Sequence, residues 1–263
     1  MIMRIAIDFT KSAQENADYF YKKSKKLAQK RVGAEAAIKQ LEKRLKDAAA
    51  VTKTIKAEKV KVAEKEWYEK FHWFFTSDNM LVIGGRDAQQ NEQLNSKHFD
   101  ENDLFFHANI FGASVVILKN GMNASRESRE EAAQFAACYS SAWKEGQPVV
   151  DVYAMRRNQV SKSTSKGSIS AGSFLLSGER EWYRNVSLSL VFFVKDGRLN
   201  AAPETSFYRH AHDVNVGRVI VRQGRLQKSD AAKKIASALG IHDIDAIMQQ
   251  LPAGTFRAEQ KGN

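Results

Sequence analysis

The residues best placed to do chemistry in this chain follow a double glycine. Gly84-Gly85 closes the apolar run Leu81-Val82-Ile83, and Arg86, Asp87, Gln89, Gln90 and Asn91 come directly after it. Paired glycines let a backbone turn sharply or approach a phosphate, and arginine and amide side chains suit phosphates, sugars and base edges. The same pattern also describes a strand-to-helix turn capped by Asp87. A second candidate is the run from Arg156 to Ser168. Its cations are Arg156, Arg157, Lys162 and Lys166; it also holds Gln159, many hydroxyls and no acid. It reads either as a phosphate-contacting loop or as a mobile surface loop. In the stretch Gly172–Tyr183, Trp182 and Tyr183 could stack on bases or pack in the core.

Other constellations point away from catalysis. His107 shares a strand face with Phe105 and reads as a structural hydrogen-bonding residue. His210 and His212 lie two apart with no third ligand in pattern, so no metal site is expected. The single Cys138 excludes an intramolecular disulfide framework and reads as a buried thiol. No phosphate-binding Walker loop, strand-anchored Gly-x-Gly-x-x-Gly or Gly-x-Ser-x-Gly elbow is present. No catalytic residue, cofactor or small-molecule substrate is therefore expected. An enzyme acting on tRNA or a nucleotide is a minor alternative.

Charge placement says more than charge size. The 263 residues carry a net +11, and residues 22–65 alone hold 15 Lys/Arg against 5 Asp/Glu. A solvated helix face explains charge but not this imbalance, because Lys-rich coiled coils usually interleave Glu. A polyanion partner is favoured, with Lys22, Lys23, Lys25, Lys26, Lys30 and Arg31 as its first contacts. No apolar run reaches membrane-span length, and Met-Ile-Met-Arg lacks a signal-peptide core, so a cytoplasmic protein without membrane contact is expected.

The elements that must position these residues fall into two parts. Residues 4–10 predict a short strand, followed by a helix capped by Thr10 or Ser12 and running to about Ala50, with Ala34, Ala37, Ile38, Leu41 and Leu45 on one face. Gly33 is its weak point. A turn near Val51–Thr54 and a second helix from Ile55 to Phe71 would make an antiparallel coiled-coil hairpin. Globular pattern follows: strands near 73–76, 80–84, 104–108, 114–119 and 150–155, a helix over 127–144, and a long loop over 156–173. A strand over 186–194 leads into an Asp196-Gly197 hairpin turn. A strand over 218–222 and helices over 229–239 and 243–251 complete the pattern, with Ser229-Asp230 starting the first helix and Gly240 ending it. The last ten residues read as frayed. The fold class is α+β: a mixed β-sheet domain with flanking helices over 72–263, and a strand plus basic coiled-coil arm over 1–71.

Several ordered motifs together resemble a known family. Ile7-Asp8, Ser12–Ala17 and Tyr19–Lys23 look like the entry to a middle coiled coil, and Glu66–Phe71 like its exit. Trp73–Glu92, Gly112-Ala113, Gln159–Lys162, Gly172–Phe174 and Leu251-Pro252 are similar to NFACT-R motifs of the archaeal–eukaryotic branch. The resemblance is to the C-terminal half of NFACT ribosome quality-control proteins. It implies binding to the obstructed large ribosomal subunit and tRNA in rescue of stalled ribosomes, through an RNA-binding R domain. The family's N-terminal domain and helix-hairpin-helix region have no counterpart here, which implies a fragment, a split protein that docks a separate N-terminal chain, or a solo ribosome-binding arm. Asn109 and Phe111 stand where the family often has Asp and His, and Asn79-Met80 where it has Gly and an aromatic. The contacts expected with RNA are the Lys22–Arg31 cluster, Arg86, Asp87, Asn91, Arg156, Arg157, Gln159, Lys162 and Lys166.

Overall fold

The computed structural model describes residues 6–57, 66–164, 167–168, 172–210 and 217–261. The chain forms two compact units, residues 1–64 and 65–263. In the first, α1 runs without a break from Ala13 to Ala57. Ser12 Oγ accepts from Glu15 N at 3.2 Å, while the Glu15 carboxylate accepts from Ser12 N at 2.8 Å. This reciprocal capping box starts the helix. Residues 6–10 are a turn rather than the expected strand. The Asp8 carboxylate accepts from Thr10 N and Oγ1, and Asn16 Nδ2 donates to Asp8 O, folding the segment back on the helix start.

The turn expected at Val51–Thr54 is absent, and α1 passes straight through it. Three β-branched residues cost a helix only tenths of a kcal/mol each, about as much as flanking Ala and Lys restore. Gly33 likewise sits within unbroken helix. Residues 58–65, the middle of the expected return helix, lie outside the described residues. Trp67–Lys70, near its expected end, form a single 3-10 turn.

The second unit runs, in order, β1 (His72–Phe75), β2 (Leu81–Gly84), α2 (Ala88–Lys97), β3 (Leu104–Ala108), β4 (Val116–Leu118), α3 (Arg126–Cys138), α4 (Ser141–Lys144) and β5 (Val149–Arg156). The short strands β6 (Val160–Ser161), β7 (Ser163–Thr164), β8 (Gly167–Ser168) and β9 (Leu175–Leu176) interrupt what the sequence presents as one loop. Then come β10 (Glu181–Ser187), β11 (Leu190–Lys195), β12 (Arg198–Pro203), α5 (Glu204–His210), β13 (Arg218–Leu226), α6 (Lys228–Leu239), α7 (Ile244–Gln250) and β14 (Phe256–Lys261). One sheet has the order β1-β2-β4-β3-β5-β10 and the other β12-β11-β13-β14. The α+β class stands, but every pairing among the described strands is antiparallel, not mixed.

The large sheet is covered on both faces, which is why β4 and the first three residues of β3 read as unbroken apolar runs. Phe74, Val82, Phe106, Val116 and Val152 pack on one side with Ala132, Phe135 and Ala136 of α3. Ile83, Phe105, Ile117, Tyr153 and Met155 face the other side, with Phe71, Leu94 of α2 and Phe99. Between β1 and β2, Asn79 adopts a left-handed φ of 59°. Asn tolerates that region best after Gly, so it serves the turn where the resemblance led to a glycine.

Four boundaries differ from expectation for physical reasons. The 127–144 helix breaks after Cys138, where Tyr139 O accepts from Ser114 N at 3.1 Å instead of continuing the helix. The 186–194 strand is two strands in two sheets, divided at the buried pair Leu188-Ser189. The cap of α6 is Gln227, with no side-chain hydrogen bond, while Asp230 sits within the first turn. The C-terminal residues 256–261 pair with β13 instead of fraying, because Phe256 and Ala258 bury in the core. The Asp196-Gly197 turn does form, with φ of 52° and 72°, the doubly left-handed geometry of a type I′ hairpin. Gly240 ends α6 at φ 67°.

α3 carries a buried polar stripe, Ser128, Glu131 and Gln134. Ser128 Oγ donates to Asp78 Oδ2 at 2.8 Å. Glu131, 0% exposed, accepts from Ser77 N at 2.8 Å and Ser77 Oγ at 2.6 Å, and Arg209 lies 3.4 Å away. Gln134 donates to Ser187 O at 3.2 Å and accepts from Thr205 N at 3.1 Å. Glu131→Ala should destabilise the fold by roughly 3 kcal/mol, since it orphans buried donors to a charged group, and Glu131→Gln by less. Urea unfolding measures both; equal, small losses would contradict this role.

Burial also holds two histidines neutral. It pushes the His72 imidazole from its ordinary 6.5 down to about 3, with Arg86 repelling the proton further. Burial lowers His107 as well. In the unfolded chain both protonate near pH 6.5, so between that pH and the folded pKa the unfolded state holds the extra proton. The contribution is therefore complete above pH 6.5 and is lost as pH falls, at up to about 1.4 kcal/mol per pH unit per histidine. Urea midpoints should drop from pH 7 to pH 5, and His72→Phe should shallow the drop. A pH-independent midpoint would refute this.

Candidate nucleic-acid interface

The residues after the double glycine are drawn into the fold. Asp87 caps α2, accepting from Gln90 N at 2.8 Å, and Gln90 Oε1 accepts from Arg86 N at 3.1 Å. Asn91 is buried and its Oδ1 accepts from Val115 N at 3.0 Å. A Cβ on Gly85 would fall 2.2 Å from that oxygen, so glycine is required there for close approach rather than for a phosphate. The Arg86 guanidinium turns inward and donates to Phe71 O at 3.0 Å and, at 3.4 Å, to Glu69 O and Gln249 Oε1. Of the two sequence readings of this motif, the geometry is that of the capped turn.

The segment after β5 is ordered by the same means. Gln159 accepts from Arg156 N at 2.8 Å and donates to Glu179 O at 2.7 Å. Arg157 donates to Val160 O at 2.9 Å and lies 5.0 Å over the Phe99 ring. Lys162 pairs with Glu92 at 2.6 Å. Arg156 stays exposed, and it lines a cleft of about 480 Å³ together with Arg129, Asn158, Gln159, Glu179 and Arg180. Lys166 lies outside the described residues. On α1, Lys22, Lys23, Lys25, Lys26, Lys30 and Arg31 are all exposed. Arg31 makes an exposed pair with Glu35 at 3.5 Å, and Lys23 sits 5.6 Å from the Tyr19 ring.

Beside the cleft, β10 forms one edge of the large sheet. Arg180 lies 4.6 Å over Tyr153 and 5.7 Å from Trp182, and Arg184 lies 4.1 Å over Trp182. Tyr153 and Trp182 meet edge to face at 5.5 Å. This is a run of alternating guanidinium and aromatic planes. Arg184 is steadied by Asp151 at 2.6 Å, whose carboxyl is held low by the Asn185 backbone N–H and by Arg184 itself. Trp182 is half-buried, so it is both a packing residue and a surface one. Tyr183 points the other way, against Phe106. Arg180 and Arg184 were not singled out in the sequence; their spacing of two from Trp182 is the signal that groups the three.

His107 stacks on Phe105 with centroids 6.1 Å apart, and its Nδ1 lies 3.3 Å from Tyr153 Oη. It is a structural histidine. Cys138 is buried and burial pushes its thiol up. Among the described residues no group of three His, Cys, Asp or Glu side chains is placed to hold a metal, and no helix is long and apolar enough to cross a membrane.

Comparison with known proteins places the chain in a family. Residues 70–178 match the NFACT protein RNA binding domain. The chain is 33% identical over 200 residues to the archaeal Rqc2 homolog aRqcH of Methanocaldococcus jannaschii, covering 73% of this chain and 29% of that protein. It is 35% identical over 207 residues to the ribosome quality control complex subunit NEMF homolog of Drosophila melanogaster, covering 73% and 20%. It is 34% identical over 261 residues to the human ribosome quality control complex subunit NEMF, covering 95% and 22%. The chain thus spans between a fifth and three tenths of the length of these curated relatives. A slighter likeness, TM-score 0.40 and 22% identity over 53% of this chain and 50% of the other, is to the C-terminal of a fibronectin/fibrinogen-binding protein from Streptococcus suis. The chain belongs to the NFACT family of ribosome quality-control proteins, with the family's RNA-binding domain matched over residues 70–178.

Proposed function

We propose that this chain is a binding, non-enzymatic module of ribosome-associated quality control that contacts RNA of the obstructed large ribosomal subunit and tRNA in the cytoplasm. The observation that carries the reading is the cluster of Arg180, Trp182 and Arg184 along the β10 edge, with Arg180 also over the buried Tyr153 ring of the neighbouring β5. Guanidinium and aromatic planes presented together suit unstacked bases and their phosphates. The matched RNA-binding domain and relatives named for ribosome quality control support it. The exposed cations of α1 add a sequence-independent contact with phosphate.

Within this reading, the Lys22–Arg31 cluster, Arg156 and Arg180 are the outward cations, with Arg157, Gln159 and Lys162 shaping the segment behind them. Arg86, Asp87 and Asn91 support the interface by holding β2, α2 and the chain before β4 in place. A second reading has an observation in its favour: Leu27 and Ile38, eleven residues apart on one face of α1, stand exposed. An apolar pair of this kind suits a helix of a separate N-terminal chain.

The test is sedimentation with purified large subunits across a salt series. Replacing Lys22, Lys23, Lys25, Lys26, Lys30 and Arg31 by Gln should lower affinity and flatten log K against log salt, by about 0.7–0.9 for each phosphate no longer neutralised. Arg180→Ala with Arg184→Ala should weaken binding about 10- to 100-fold, as expected for disrupting base stacking. Wild-type slopes and affinities in both variants would reject the reading in favour of a protein partner.

A further inference from the structure

A second cationic site lies away from the β10 face. We propose that the cavity between Arg86, Lys144 and Lys228 binds the phosphate of a nucleotide, whose base stacks on Phe111.

The cavity encloses about 790 Å³, within the roughly 300–1,000 Å³ typical of small-ligand pockets. Its walls come from β1 (His72), the turn after β2 (Arg86), the loop before β4 (Gly112, Ser114), the α3–α4 junction, the start of α6 (Lys228) and the chain from α7 to Ala253. The charged lining is Arg86, Lys144 and Lys228 against one acid, the exposed Asp245. Among the described residues none of the three cations makes an ion pair. Arg86 donates only to neutral oxygens, and its buried Nε has no partner.

Lys228 is half-buried beside it, and burial first, then repulsion from Arg86, draws its pKa down. Two like charges held together out of full solvent raise the energy of the empty cavity, and a bound anion removes that cost. The rest of the lining suits a nucleotide rather than a bare ion. Tyr139, Met248, Leu251 and Pro252 supply apolar surface, while Gly112, Ser114 and Ser141 keep one wall low. Gly112 takes a left-handed φ of 78°, which turns the loop at the cavity's edge. The residue before it, Phe111, is 97% exposed, and its carbonyl is tied down by Ser141 Oγ at 2.7 Å. A large exposed ring whose backbone is held next to the lining residues Gly112 and Ser141 is a ready stacking platform.

The phosphate could be the end of an RNA or belong to a free nucleotide, and only the first source rests on the RNA reading above. Calorimetry of the full chain distinguishes them, using AMP, inorganic phosphate, a 5′-phosphorylated RNA hexamer and the same hexamer with a 5′-hydroxyl. The 5′-phosphorylated hexamer should bind about tenfold or more tightly than the hydroxyl form. Lys228→Gln and Lys144→Gln should each erase that difference without lowering the melting temperature, while Arg180→Ala leaves it intact. Phe111→Ala should weaken the nucleotide probes but not inorganic phosphate. AMP binding as well as the phosphorylated hexamer identifies a free nucleotide; AMP failing while the hexamer binds identifies an RNA end. If AMP binds and neither hexamer does, the cavity stands and the RNA reading falls. Equal binding of the two hexamers with no AMP binding, or unchanged binding in both lysine variants, overturns the proposal.

Discussion

The second unit depends on a helix that has little solvent to face. α3 packs against the large sheet on one side and approaches the small sheet and α5 on another, and nine of its thirteen residues are buried. Such a helix must satisfy its polar side chains inside the protein, because an unpaired buried group costs about 1–3 kcal/mol. Ser128, Glu131 and Gln134 answer this by reaching out in three directions. They engage the β1–β2 turn, the end of β10 and the start of α5. One requirement, internal hydrogen bonding of one helix, thereby fixes two sheets and two connections at once.

That constraint decides which parts of the large sheet meet solvent. With both faces covered, its exposed surface is left to its edges and to loops. β10 is one such edge, and the segment after β5 is held beside it by Gln159, which ties Arg156 to the Glu179 carbonyl. Cations divide by how they are used. Arg86 and Lys162 are engaged by carbonyls or a carboxylate, whereas Arg156 and Arg180 stay open to solvent.

Much of this was legible in the sequence where a local rule decides. Apolar runs located β2, β3, β4 and β5. The Asp196-Gly197 pair named its own turn, and Gly240 its helix end. The rest was settled by partners distant in sequence. Nothing local marks Leu188-Ser189 as the passage between sheets, since both halves alternate like strand; the division reflects which neighbours each half meets. The last ten residues read as a fraying terminus, yet Phe256 and Ala258 supply the final strand with a buried side. At the site, the motif Gly84–Asn91 was legible, but not the partners that Arg86 and Asn91 find inside the fold. Asp87 and Asn91 are short enough to reach nearby backbone N–H groups first. The Arg180–Trp182–Arg184 alternation became visible only once β10 was known to be a strand.

The passage at Leu188-Ser189 has a mechanical side. β10 ends one sheet and β11 begins the other, with two buried residues between them. No slack loop separates the edge that presents the cation–aromatic array from the central strands of the small sheet. Tension applied at that edge travels along covalent backbone into β11, which is clamped by β12 on one side and β13 on the other. The β10 edge is thus anchored against shear, and a load on it is shared by both sheets rather than peeling one strand away.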